Sequence, residues 1–187
     1  MNAPLINLKA DRLATLSWQH APPRPLKLER APIAPRPTET RSHARVAAGF
    51  ANALRATLAS VHWDVLGGTL AVETGGQVRY PDVVVDSAAS GAMSTATPLL
   101  IVEVLSPFST GLDFTVKLAE YLSLDALETY IVASQDEPIV WVWQRTEANR
   151  EFSSRPVEVS GRQNVIELEA LGILLPLSDI YRGVGSA

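Results

Sequence analysis

Two apolar runs constrain this chain most: Tyr80-Pro81-Asp82-Val83-Val84-Val85 and Leu99-Leu100-Ile101-Val102-Glu103-Val104-Leu105. Each would be apolar on both faces of a strand but for one acid, Asp82 at the start of the first and Glu103 late in the second. Strands that are apolar on both faces belong in a sheet covered on both sides, which calls for a layered α/β architecture. A carboxylate within such a run is costly to bury unless something pairs with it. Two of them imply a shared cation.

The remaining pattern supplies the layers. Val46, Phe50, Leu54 and Leu58 recur every four residues, which predicts a helix over Ser42 to Ala59 with Ser42 as its cap. A second helix is expected over Asp113 to Leu124. Trp63 to Leu66 and Thr69 to Glu73 flank Gly67-Gly68, a strong hairpin signal. Thr129 to Ser134 and Ile139 to Gln144 read as another hairpin, closed at Gln135-Asp136-Glu137, while Pro156 to Ser160 and Val165 to Leu168 read as short edge strands. Ser87 to Ala96 is small and polar, as a surface loop is. Ile139, Trp141 and Trp143 share one face of their strand, a core pattern whose other reading is a homodimer contact.

Seven of the thirteen prolines fall within residues 1–37, where Pro22-Pro23-Arg24-Pro25 and Ala34-Pro35-Arg36-Pro37 cannot continue a helix or a central strand. The expected organisation is therefore an extended, Pro-rich basic arm over residues 1–41 and one folded domain over residues 42–187. A domain of this size buries about 70% of the surface its unfolded chain would expose, so it needs no staple.

The acids define the candidate site. If Asp82 and Glu103 lie on neighbouring strands, both carboxylates come to one end of the sheet, where unpaired they would repel and one would take up a proton. A divalent ion relieves that conflict, and Mg²⁺ is suited to one or two carboxylates completed by waters and a substrate phosphate. The alternative for either acid is a strand terminus or an arginine pair. On the second helix Asp113, Lys117 and Tyr121 fall on one stripe. The i, i+4 spacing of Asp113 and Lys117 also suits a plain surface ion pair. Glu120 approaches the metal or sits at an exposed helix position.

The segments Pro81-Asp82-Val83-Val84-Val85, Ile101-Val102-Glu103-Val104-Leu105-Ser106-Pro107, Asp113-x-x-x-Lys117-x-x-x-Tyr121 and Leu177-Ser178-Asp179-Ile180-Tyr181 resemble the PD-(D/E)XK nuclease superfamily. Within it they resemble the putative restriction endonuclease family over roughly residues 43–182. The usual lysine position, two residues after the second acid, is Leu105 here, and the family resemblance places the lysine on the following helix at Lys117. Before the first helix the family often has an acidic, aromatic-flanked stretch, where this chain has Pro22 to Arg30.

The resemblance implies a restriction-endonuclease-like mixed sheet flanked by helices. It also implies hydrolysis of DNA phosphodiester bonds with Mg²⁺ or Mn²⁺. Asp82 and Glu103 would hold the ion, with the Val104 backbone carbonyl as an additional ligand. Lys117 would be the third catalytic residue, supported by Asp113 and Tyr121. Two other functions fit the same residues: a catalytically silent nuclease-fold binding or assembly module, and a hydrolase of another phosphodiester.

Charge narrows the field further. The net charge is -4, which disfavours coating nucleic acid through bulk positive charge. Its distribution is uneven, +6 over residues 1–60 and -10 over residues 61–187. The basic end is either a phosphate-contacting arm or an ordinary solvated surface. No cysteine is present, so thiolate nucleophiles and disulfides are excluded. His20, His43 and His62 lack ligand spacing, and His43 reads as a solvated residue at a helix start. Ser106 and Ser109 have no nearby histidine, and no Gly-rich phosphate loop occurs. Without a signal-peptide core or a membrane-length apolar run, the expected location is the cytoplasm.

Overall fold

The structure, a computed structural model, describes residues 39–58, 63–87, 93–106, 111–146 and 150–185. The expected arm lies outside the described residues up to position 38, as do His20 and His62.

Helix α1 spans Arg41–Thr57 and is capped by Thr40 rather than Ser42, the Thr40 hydroxyl accepting the His43 N–H at 3.1 Å. Strands β1 (Trp63–Gly67), β4 (Val83–Ser87), β6 (Leu100–Leu105), β7 (Thr129–Ser134), β8 (Ile139–Gln144) and β9 (Val157–Ser160) form the main sheet in the order β1-β4-β6-β7-β8-β9. All neighbours are antiparallel except β6 and β7. A parallel pair needs a crossover, and helix α2 (Gly111–Leu122) supplies it. The expected mixed sheet with flanking helices is thus observed.

Alternation of side chains explains why the central strands are apolar throughout. Val83, Val85, Leu100, Val102 and Val104 pack with Val46, Phe50 and Leu54 of α1. Their neighbours Val84 and Ile101 pack on the other face with Leu118 and Tyr121 of α2, joined by Tyr130, Trp141 and Trp143. Trp141 and Trp143 are 4% and 1% exposed, so both belong to the core. Complete burial of a side chain such as Phe50 contributes about 1.5–3 kcal/mol.

Three expected features differ. The chain around Gly67-Gly68 is not a hairpin: β1 pairs with β4, while β2 (Ala71–Glu73) leaves for a small sheet in the order β3-β2-β5. Burial of Val72 against the α2-side cluster favours that departure. In the small sheet β3 is Val78–Arg79, and β5, Ser94–Thr95, runs parallel to β2 inside the stretch expected to be loop. Val165 to Leu168 is likewise no edge of the main sheet. As β10 it pairs with β11 (Ile173–Pro176), a strand not expected from the sequence because Leu174-Leu175-Pro176 lacks β-branched residues and proline argues against a strand.

Helix α3 (Leu177–Ile180) begins the segment Leu177 to Tyr181, and its role is structural. Leu177, Ile180 and Tyr181 are buried against α1, and the Tyr181 hydroxyl lies 2.8 Å from the Ser134 carbonyl and 3.0 Å from that of Ile139. Burial pushes the Tyr181 phenol above its ordinary pKa, so it stays a neutral donor. It ties the β7–β8 turn to the end of the chain. Among the described residues no helix is long and apolar enough to cross a membrane.

Candidate active site

Antiparallel register brings the acids together. The last paired residues of β4 and β6 are Val83 and Val102, and one step further along come Asp82 and Glu103. Proline 81 has no N–H to offer the ladder. Beyond the last ladder pair Asp82 serves β6 through its side chain instead, Oδ2 accepting the Val104 N–H at 2.7 Å. On the other side Gly68 N–H donates to the Asp82 carbonyl at 2.9 Å, so the glycine pair holds the strand start rather than turning a hairpin.

Glu103 lies where α2 crosses the end of β6. Its Oε1 accepts from the Tyr121 hydroxyl at 2.9 Å, and Lys117 Nζ lies 3.4 Å from Oε2. Lys117 is therefore paired with the strand acid rather than serving only a helix-surface pair. Asp113 lies on α2, but its side chain is outside the described residues. Burial raises the Glu103 pKa; Lys117 opposes the shift, Asp82 adds to it, and Tyr121 opposes it again through its hydrogen bond. Burial and the Glu103 charge also raise the Tyr121 phenol, which remains a donor.

Without an ion the folded chain holds the Glu103 proton more tightly than the unfolded chain does. Rising pH through the window from about 4.5 to the raised value therefore costs folding stability. A cation placed between the carboxylates would remove that cost, so the donor set fits a hard divalent ion.

Histidine 43 is the clearest departure from the sequence reading. It is only 5% exposed, and Nε2 lies 2.9 Å from Asp82 Oδ1. Burial alone would lower its pKa, but the Asp82 hydrogen bond together with the charges of Asp82, Glu39 and Glu103 outweighs it, and the net shift is upward. Its place on the stripe with Val46, Phe50 and Leu54 was the signal that it faced the sheet. Glu39, His43 and Asp82 offer ligand atoms within 4.8 Å of one another. Glu120, by contrast, is engaged with Arg79 through contacts of 2.7 and 2.9 Å, which fasten the small sheet to α2 just before Tyr80-Pro81-Asp82.

A mixed sheet flanked by helices, with Asp82 just before β4, Glu103 in β6 and Lys117 on the following helix, is the arrangement expected of the restriction-endonuclease-like fold class. The chain belongs to the Uma2 family, described as putative restriction endonuclease, whose family model matches residues 30–178. Among solved structures it is similar to one described as a putative nuclease belonging to DUF820 from Anabaena variabilis. The two share 13% sequence identity with a TM-score of 0.64, over 78% of this chain and 83% of that one. At that identity the similarity speaks to the fold. No curated protein matches the sequence.

Proposed function

We propose that this protein is a metal-dependent endonuclease that hydrolyses phosphodiester bonds in DNA. The observation that carries the reading is the convergence of Asp82, Glu103 and Lys117 at one end of the β4–β6 pair, with a buried carboxylate in electrostatic conflict. DNA as the substrate rests on the family's description.

Asp82 and Glu103 would hold Mg²⁺ or Mn²⁺, and the Val104 carbonyl is proposed as a further ligand. Bound there, a divalent ion supplies a water of lowered pKa and neutralises charge on the phosphate. The chain's own groups do the rest. Val104 N–H and His43 fix the Asp82 carboxylate, and Tyr121 fixes that of Glu103. Lys117, on a flexible four-carbon stem, places a positive charge where negative charge develops on the phosphate oxygens. Asp113 is proposed to support Lys117 from the preceding turn.

Calorimetry with Mn²⁺ tests the pair. Wild type is expected to bind one ion, and Asp82→Asn to lose that binding. Protons compete for Glu103, whose pKa lies above its ordinary value, so affinity should fall on acidification earlier than it would for an unperturbed carboxylate. Equal binding by Asp82→Asn would remove Asp82 from the site. A wild type that binds the ion but cleaves no nucleic acid would favour the silent-module reading.

A further inference from the structure

The contact between His43 and Asp82 has two chemical readings. A separation of 2.9 Å between Nε2 and Oδ1 suits a hydrogen bond. It equally suits two adjacent ligands of one octahedral ion, which at bond lengths of about 2.1 Å sit about 3 Å apart. Glu39, the third member of this group, is consistent with the ligand reading.

The other ring nitrogen separates the two. His43 Nδ1 is buried and has no hydrogen-bond partner among the described residues. A ligating Nε2 must be bare, which puts the hydrogen of the neutral ring on Nδ1, and metal-bound histidines almost always donate that N–H to a carboxylate, carbonyl or water. Here the donor would be buried and unmet, at the full cost of its desolvation. With the hydrogen on Nε2 the bare Nδ1 is an unmet acceptor, which also costs, but the ring's one N–H then makes a charge-assisted bond to the Asp82 carboxylate that the ligand reading leaves unmade.

The backbone that carries the ring is also held. The Thr40 hydroxyl accepts the His43 backbone N–H at 3.1 Å and lies 2.7 Å from Oε1 of Gln135, itself 5% exposed in the turn after β7. A relay thus runs from the β7–β8 turn through the start of α1 to the first acid.

We propose that His43 is a positioning residue rather than a metal ligand: through Nε2–H it holds Asp82 with Oδ2 on the Val104 N–H, leaving the remaining carboxylate lone pairs for an ion shared with Glu103. The role in ion binding rests on the assignment of Asp82 to the metal site. The hold on Asp82 itself does not, and is measurable without metal.

The test compares full-length wild type, His43→Ala and His43→Gln. In metal-free protein the Val104 amide resonance and its hydrogen exchange report the Asp82 bond. They should shift and lose protection in His43→Ala and return toward wild type in His43→Gln, whose amide can donate from nearly the same place. Mn²⁺ affinity should fall about 10- to 100-fold in His43→Ala and recover in His43→Gln, as is typical when a group orienting a ligand is lost and restored. Should His43→Ala fail to fold, His43→Phe keeps the ring's bulk without the donor and is read in its place.

An unchanged Val104 amide in the donorless variant overturns the proposal. So does nitrogen hyperfine coupling in the paramagnetic resonance of bound Mn²⁺ that disappears in His43→Gln, because it makes His43 a ligand. If wild type binds no Mn²⁺, the metal assignment fails, while the Val104 amide still decides whether His43 positions Asp82.

Discussion

Replacing Lys117 with alanine is expected to reduce Mg²⁺-dependent cleavage of plasmid DNA by about two orders of magnitude or more, the usual consequence of losing one preorganised donor at developing charge. The side chain is 26% exposed and its contact with Glu103 is long, at 3.4 Å, so the ammonium is within reach of the acid without being locked to it. A group held this way can turn to a substrate phosphate. Stability should fall only modestly, because a Glu103 deprived of its cation can take up a proton, toward which burial already biases it. Nicking assays beside thermal unfolding separate the two effects. A folded Lys117→Ala variant with full activity would remove the lysine from the mechanism.

Gly49→Ala should destabilise the fold by about 3 kcal/mol, the upper part of the range for overpacking a well-packed interior. A β-carbon at Gly49 would lie 2.1 Å from the Ile180 carbonyl oxygen and 2.8 Å from its carbon. These are backbone atoms of α3, so no side-chain rotation relieves the clash. The gain in helix propensity on replacing glycine with alanine is about 1 kcal/mol, too small to reverse the sign. Because α1 also carries His43, any relief by movement of α1 would disturb the support of Asp82. Urea unfolding of the variant checks this, and a stability equal to wild type would mean that the α1–α3 contact yields more easily than its geometry implies.

Much of the domain was legible because its periodicities were strong. Val46, Phe50 and Leu54 identified α1, the doubly apolar runs identified β4 and β6, and the hairpin of β7 and β8 was found almost to the residue. Local signals failed where tertiary pairing decided. Gly67-Gly68 has hairpin chemistry, yet β1 found its partner in β4, where even the nearest pair, Gly67 and Val83, is sixteen residues apart. Histidine 43 read as solvated because a polar residue near a helix start usually is. Only the fold shows that the first turn of α1 reaches the mouth of β4, where an acidic partner waits. The contact of Lys117 with Glu103 was equally invisible to strand-level reading, since it depends on α2 crossing back over the end of β6.

The assignment of Asp82 and Glu103 to one ion is the claim on which the proposed chemistry depends. Crystals soaked in Mn²⁺ and measured for anomalous scattering test it most directly. A single strong peak about 2.1 Å from a carboxylate oxygen of each acid is the expected result, with His43 Nε2 still directed at Asp82 rather than at the ion. A peak held by Glu39 and His43 without Glu103, or no peak at these acids under saturating Mn²⁺, would contradict it.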